Sequence, residues 1–437
     1  MFKRLLWNNR QYRSWALYDW GNSAFAATIM AAVMPTFFAD VAAKELESFQ
    51  KTAYWSYING FSVLIVALIS PLLGILADRF QSKKRFLLAF TILGSASCIA
   101  MYTIGENQWM RAAVLFNLGF IGFACGEVFY ESLLPHVATK NDLNRLSATG
   151  FAMGYIGGGI LLAINLLMIS QPAFFGIKDS TVAVQISFIT VGLWWAVFSR
   201  PLFKNIPEPQ LSPQARLPYG GMAKAVFQSV SQLWQTLREL RRYRQAFLFL
   251  LAFWAYSDGI GTIIKLATIY GREVGIGTSD LIGAILLVQF LGVPFSLLYG
   301  PAADQYGTKA CIFFTLSVYL IITLLSYFMK HAWHFWMLAI AISMVQGGAQ
   351  ACSRALYASL IPKNKSAEFF GFYSTSSKFA GIFGPFIFAY ISQTTESSQL
   401  GILAIATTFL AGMILLRFVN VEKGQAEALG GDHPQSA

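Results

Sequence analysis

The chain has 437 residues, 56% of them hydrophobic and 12% charged, with a formal net charge of +11. That charged share is about half of what an average soluble domain carries, so the composition excludes a soluble protein before any motif is read. The four cysteines, Cys98, Cys125, Cys311 and Cys352, all fall in apolar blocks without CxxC spacing, which leaves no disulfide framework and no cysteine metal site.

The apolar residues come in blocks of about twenty, the length a helix needs to cross the hydrocarbon core. In chain order the blocks predict spans over 15–38, 54–77, 85–104, 110–134, 147–169, 182–199, 246–270, 281–303, 310–329, 335–361, 369–393 and 399–419. The N-terminus reads Met-Phe-Lys-Arg with no A-x-A-like cleavage site, so the first block is expected as a retained span and not a signal peptide. Connections are short except 200–245, which holds Pro201, Pro207, Pro209, Pro213 and Pro218 and then a basic amphipathic stretch. The expected organisation is a six-helix half over 1–199, a cytoplasmic linker over 200–245, a second half over 246–421 and a short tail over 422–437.

Lysine and arginine set the orientation. With both termini cytoplasmic, 23 of the 32 basic residues lie in cytoplasmic segments and 6 in external loops; Lys265, Arg354 and Lys378 lie inside spans. The positive charge therefore reads as topogenic, facing membrane lipid headgroups, with no nucleic-acid partner.

The two halves are copies. Ala124 to Pro135 aligns with Ala351 to Pro362 at an offset of 227, with six of twelve positions identical. Gly74-Ile75-Leu76-Ala77-Asp78 aligns with Gly300-Pro301-Ala302-Ala303-Asp304 at an offset of 226. Parallel six-helix repeats joined by a long cytoplasmic linker place a substrate site near the midplane.

With Gly74-Ile75-Leu76-Ala77-Asp78-Arg79-Phe80, followed by Lys83, Lys84 and Arg85, the chain resembles the major facilitator superfamily. Gln81-Ser82 stands where that family has glycine and a basic residue, and the second copy keeps its glycine at Gly307. A narrower resemblance is to the "unknown major facilitator" family, which includes the autophagy-related vacuolar amino-acid effluxers. It is carried by Tyr18 to Phe25, Tyr256-Ser257-Asp258-Gly259, Gln350 with Ser353-Arg354, and Phe369 to Tyr373 with Ser377-Lys378 and Gly384-Pro385. Glu131 stands where that family has Asn. The resemblance implies an all-α integral membrane fold of twelve transmembrane helices in two six-helix pseudo-symmetric halves, with helices one, four, seven and ten lining a central cavity.

Ionisable groups inside spans are expensive and are functional candidates by default. Here they are Asp19, Glu127, Glu131, Asp258, Lys265, Arg354 and Lys378. Asp19, Asn22 and Ser23 share one helix face and read as cavity lining or, for Asp19, as an interfacial cap. Asp258 reads as a pathway group or as one member of a structural pair with Lys265 on the same face. Glu127 and Arg354 occupy one repeat position; a carboxylate and a planar guanidinium suit the two ends of a zwitterion, or a bridge that closes the pathway. Tyr130 and Gln350 complete the candidate solute- and ion-binding set. Gly74, Asp78, Arg79, Lys83, Gly300 and Asp304 form a candidate gating motif. Gly157, Gly158, Gly159, Gly381 and Gly384 read as packing positions. The aromatic residues, Trp194 and Trp195 included, read as lipid-facing bulk and interface anchors.

The resulting expectation is a secondary active transporter of a small polar, amino-acid-like solute, working by alternating access with protons as coupling ion. A lipid flippase and a non-transporting receptor or scaffold of the same fold are the alternatives. The absence of GxxxxGK[ST] argues against direct ATP drive, and no constellation for an enzyme, a cofactor or a metal appears. The chain is expected as a monomer in a bacterial inner membrane. In a variant without its native cysteines, Ser180→Cys should label with an impermeant maleimide from outside intact cells. Gln214→Cys should label only after permeabilisation; equal labelling of both would overturn the twelve-span topology.

Overall fold

A computed structural model of the chain describes residues 9–209 and 243–432, apart from a few side chains within the helices, that of Lys265 among them. Most of the basic linker, with Pro213 and Pro218, lies outside the described residues. The described residues are helical throughout their long segments and contain no strand. In a hydrocarbon medium every backbone polar group must be satisfied internally, and a helix does so within its own segment.

Among the described residues, twelve long helices follow in chain order. They are α1 (Arg10–Ala42), α2 (Ser48–Arg79), α3 (Lys83–Met101), α4 (Trp109–Val137), α5 (Leu143–Ser170) and α6 (Ser180–Asn205). After the linker come α7 (Arg244–Glu273), α8 (Thr278–Tyr306), α9 (Thr308–Ser326), α10 (Ala332–Leu360), α11 (Ser366–Thr395) and α12 (Ser398–Arg417). A short α13 (Val421–Asp432) forms the tail. Among the described residues, eleven segments are long and apolar enough to cross a membrane. The remaining long helix, α11, is 30 residues long and interrupts its apolar run with Ser374-Thr375-Ser376-Ser377-Lys378. Each expected span coincides with one helix. Most helices run on past the expected ends, because apolarity marks only the part that crosses hydrocarbon; α3, α9, α10 and α12 instead stop one to three residues short, at Met101, Ser326, Leu360 and Arg417.

Asn9 starts α1: its side chain accepts from the amides of Gln11 at 2.9 Å and Tyr12 at 3.3 Å, satisfying donors that the first turn leaves open. Beyond Ala24 the helix widens into π winding over Phe25–Val33, returns to α over Met34–Phe37 and widens again over Phe38–Ala42. Pro35 has no amide hydrogen to give, and a change of winding is one way to re-satisfy the carbonyl it leaves.

The helices divide into two compact units. One consists of Met1–Ile69, Ser82–Tyr130 and Met153–Pro209, the other of Ser70–Gln81, Glu131–Ala152 and Gln210–Ala437. In the first unit α5 lies close on α1, because a Cβ at Gly157 would stand 2.3 Å from the Trp20 carbonyl oxygen and one at Gly158 3.0 Å from that of Ser23. Trp195 corrects the expectation of lipid-facing bulk. It is fully buried, meets the Phe25 ring at a tilt with centroids 5.9 Å apart and the Phe123 ring edge-on at 6.3 Å, and covers Gly94. The Lys84 ammonium donates to the carbonyls of Phe203, at 3.1 Å, and Ile206 beyond the end of α6. The Glu208 carboxylate accepts from the Lys84 amide at 3.0 Å, and burial raises its pKa against the pull of the Lys84 amide and the neighbouring positive charges. In the second unit α13 is tied to the start of α7: Glu427 accepts from the Gln245 amide at 3.2 Å, and Gln245 accepts from the Asn420 amide at 2.7 Å.

The two repeat loops show one conformational demand met by two residues. Gly307 is the whole link between α8 and α9, at φ 90°, and its counterpart at the repeat offset, Gln81 between α2 and α3, is held at φ 48°. A side chain at positive φ costs about 1–2 kcal/mol that glycine does not incur. Gln81→Gly should therefore raise the unfolding temperature in detergent, and Gly307→Ala should lower it. Shifts of the opposite sign in a thermal melt would show that loop contacts outweigh the backbone term.

Candidate transport site and helix-end latches

In the first unit the candidate residues of α1 and α4 meet as a two-rung ladder. Residues three apart on a helix share a face, and each helix contributes one such pair. The Tyr130 hydroxyl donates to Asp19 Oδ2 at 3.1 Å, and Asn22 Nδ2 donates to Glu127 Oε1 at 3.2 Å. Tyr130 is fixed in turn: its ring stacks on Trp15 at 4.4 Å and on Tyr18 at 4.7 Å, and its carbonyl accepts from the Trp15 indole at 3.2 Å. Tyr18 reaches Thr91 on α3 at 3.3 Å.

Asp19 is buried well inside α1, and Asn9 is the residue that caps this helix, so the reading of Asp19 as an interfacial cap gives way. Gly154 of α5 lies directly over it: a Cβ there would stand 2.5 Å from Ser23 Oγ and 3.3 Å from Asp19 Oδ1. Asn22 is fully buried, and its Oδ1 has no hydrogen-bond partner among the described residues. Beside it the Glu127 carboxylate is half-buried. Asn22 Oδ1 is thus an acceptor left for an entering donor, and a buried acceptor without a partner costs about 1–3 kcal/mol.

In the second unit Asp258 of α7 is buried, and Gly384 of α11 is the residue that fits above it. A Cβ at Gly384 would stand 2.0 Å from Thr262 Oγ1 and 2.8 Å from Asp258 Oδ2. The side chain of Lys265 lies outside the described residues, and with it the expected pairing to Asp258. Two residues before Asp258, the Tyr256 hydroxyl is 2.6 Å from Ser353 Oγ on α10.

Arg354, the next residue, is almost wholly buried and is clasped by α5. Its Nε donates to Ser147 Oγ at 3.0 Å, its Nη2 donates to the Ser147 carbonyl at 2.8 Å, and its guanidinium lies 4.1 Å over the Phe151 ring. Ser147 Oγ donates to the Ala351 carbonyl at 2.9 Å, closing the loop. Gln350 sits one turn earlier on α10 and Lys378 on α11, both half-buried.

The gating motif forms two latches of one design, both in the second unit. A Cβ at Gly74 would stand 2.3 Å from the Ala367 carbonyl oxygen, and Asp78 Oδ2 accepts from the Glu368 amide at 2.7 Å. A Cβ at Gly300 would stand 3.0 Å from Arg145 Cα, and Asp304 accepts from Arg145 Nε at 2.5 Å and Asn144 Nδ2 at 3.2 Å. Each carboxylate thus sits in the first turn of a helix, α11 or α5, where open amides and the dipole favour negative charge. Arg79 is half-buried at the end of α2, and Lys83, the first residue of α3, is buried. Ser147, Phe151 and Glu368 escaped the sequence reading, since two are uncharged and the third lies at a span end.

The chain is similar over nearly its whole length to known membrane transporters. It is 36% identical over 425 residues to the uncharacterized MFS-type transporter YxiO of Bacillus subtilis (strain 168), covering 97% of both chains. It is 24% identical over 432 residues to autophagy-related protein 22 of Saccharomyces cerevisiae, covering 85% of this chain and 79% of that one. Among solved structures, the proton:xylose symporter XylE superimposes with a TM-score of 0.71 at 14% identity, covering 97% of this chain and 98% of that one. FucP, in the outward conformation, superimposes with a TM-score of 0.70 at 13% identity, covering 94% and 98%.

The fold and the paired latches define a multi-pass membrane transporter of the major facilitator class, and not an enzyme. A family profile described as "Vacuole effluxer Atg22 like" matches residues 8–144 and 137–429, and the chain belongs to that family.

The latch geometry makes a direct prediction. Asp78→Ala removes the acceptor for the Glu368 amide and the charge at the α11 N-terminus, an interaction worth about 0.3–2 kcal/mol. In a background without native cysteines, Ala367→Cys, buried in the parent, should label with maleimide up to roughly thirtyfold faster when Asp78→Ala is added. An unchanged rate would show that the carboxylate does not hold α2 to α11.

Proposed function

We propose that the protein is a proton-coupled secondary transporter of a small amino-acid-like zwitterion, working by alternating access of two halves over 1–199 and 246–421, with 200–245 as linker and 422–437 as tail. The observation that carries this reading is the ladder of Asp19 with Tyr130 and Asn22 with Glu127. It concentrates two carboxylates and an unmatched carbonyl oxygen in the interior of a membrane-spanning bundle, where such groups are retained only for a purpose. An ammonium group supplies the donors that Asn22 Oδ1 and Glu127 accept. Arg354 is proposed to take the solute carboxylate on its planar fork when it gives up its Ser147 partners. Gln350, Lys265 and Lys378 add polar and positive character on the second half.

Asp258 is the proposed coupling group, with Asp19 as the second candidate; a carboxylate in a low-dielectric setting exchanges its proton readily when its surroundings change. The names agree in kind: the family is described as vacuole effluxer-like, and two structural neighbours are sugar:proton symporters. The bacterial relative supports a bacterial cell membrane, and the asymmetry of basic residues supports cytoplasmic termini; a monomer is the proposed working unit.

The decisive test is flux in proteoliposomes against a panel of labelled amino acids, peptides and sugars, with and without a pH gradient. Amino-acid transport that responds to the gradient is expected. Asp258→Asn should lose gradient-driven accumulation and keep part of the downhill exchange. Glu127→Ala and Asn22→Ala should weaken apparent affinity about tenfold or more, as expected for loss of a hydrogen bond to a charged group. Arg354→Lys should rescue poorly. Sugar transport indifferent to Glu127 and Asn22 would overturn the reading.

A further inference from the structure

Away from the ladder and the latches, the tail helix α13 is wound in a way that its own sequence does not favour. It carries Gly424, Gly430 and Gly431 among twelve residues, and glycine is the poorest helix former after proline. Helices shorter than about 12–15 residues are marginal in water even in favourable sequences. The winding of α13 therefore depends on what it docks against.

Asn420, Gly424, Glu427 and Ala428 follow the helical period and share one face. That face meets one residue of α7 at two points. The Gln245 side-chain oxygen accepts from the Asn420 amide at 2.7 Å, and the Gln245 amide donates to Glu427 Oε2 at 3.2 Å. Between these points Gly424 lies on two helices at once. A Cβ there would stand 2.4 Å from Leu360 Cδ2, at the end of α10, and 2.9 Å from Gln245 Cβ on α7. Gln245, Leu360, Gly424 and Ala428 are buried, whereas Glu422, Lys423 and Leu429 on the other side of α13 are exposed. α13 also lies against the turn Lys363–Lys365, which leads from α10 into α11.

The two helices bridged in this way are those that carry Asp258 and Arg354. Partway along, the Tyr256 hydroxyl of α7 joins them at Ser353; at the end next to the linker, α13 spans from one to the other. Glu427 takes the amide of the second residue of α7, in a first turn where open donors and the dipole favour negative charge. This is the chemistry of Asp78 at α11, with the carboxylate brought by the tail instead of a repeat loop.

We propose that α13 is a releasable strap: docked, it is helical and holds the linker-side ends of α7 and α10 together, and released, it loses its helix and frees both ends. Three glycines oppose the helix, while two hydrogen bonds and the Gly424 contact support it. Gly424 acts in both directions, since it weakens the helix and lets it come down on Leu360. The strap is independent of which solute the protein moves.

The test is hydrogen–deuterium exchange of the full-length protein in nanodiscs, read in peptides covering 421–432, the start of α7 at 244–250 and the end of α10 at 355–361. Gly430→Ala, at a position where a Cβ meets nothing within 4 Å, should slow exchange over 421–432 about fivefold, the preference of a helix for alanine over glycine. Glu427→Ala should speed it about fivefold or more, because the lost hydrogen bond to a charged group outweighs the gain in helix propensity. Gly424→Leu should speed it further by lifting α13 off Leu360. The start of α7 and the end of α10 should follow in the same direction in every variant. Where Gly424→Leu fails to fold, Gly430→Ala and Glu427→Ala carry the test. Faster exchange of α13 with both helix ends unchanged would show that the tail rests on the bundle without holding it, and would overturn the proposal. Exchange over 421–432 indifferent to both Gly430→Ala and Glu427→Ala would overturn it likewise.

Discussion

A charged or strongly polar side chain among membrane-spanning helices has no water to fall back on, so the protein must supply its partner, and that requirement organises the interior. Isolated, such a group costs several kcal/mol; hydrogen-bonded and packed, it is tolerated. Tyr130 is therefore stacked and held by Trp15 and Tyr18 before its hydroxyl reaches Asp19. Arg354 is met by a hydroxyl, a carbonyl and an aromatic face, all from 147–151 of α5. Both arrangements tie one helix to another through a group that is poorly tolerated alone. The energy that fixes the packing is thus stored in the same groups that are available for chemistry.

The latches apply the same rule at the helix ends, with a backbone amide for Asp78 and the Arg145 guanidinium for Asp304. Asp78 and Asp304 each find the first turn of a helix, and in each case a glycine four residues earlier lets the backbones close up. One design used twice at the repeat offset follows from the duplicated sequence. The copies are not equal. Asp78 takes a backbone amide, Asp304 takes side-chain donors, and the loop that follows is strained at Gln81 and relaxed at Gly307. A difference of this kind gives the two latches different strengths while leaving their geometry alike.

α1 departs most from regular winding, and it does so directly after the ladder. The π segments begin at Phe25, three residues past Asn22, and extend to the helix end. π winding holds its carbonyls less tightly than α winding and is common near functional sites. The capped α-wound start of α1 carries Asp19 and Asn22, and the π-wound remainder leads away from them.

Sequence alone determined the class of fold, the twelve spans, the repeat and the set of buried ionisable residues, because hydrocarbon imposes length and apolarity on every span and makes each polar exception conspicuous. It put Asp19 beside Asn22 and Glu127 beside Tyr130, since those pairs lie within one helix and follow its period. Only the tertiary structure decided that the two pairs meet each other, that Arg354 is met by Ser147 and Phe151, and that Trp195 is buried over Gly94. A partner such as Ser147 has no signature in a single sequence, for its hydroxyl is ordinary in a membrane helix until another helix brings a guanidinium to it. The distinction is one of range. Solvent and helical period act on residues near in the chain and are legible there, while hydrogen bonds between helices depend on azimuth and depth, which packing alone sets.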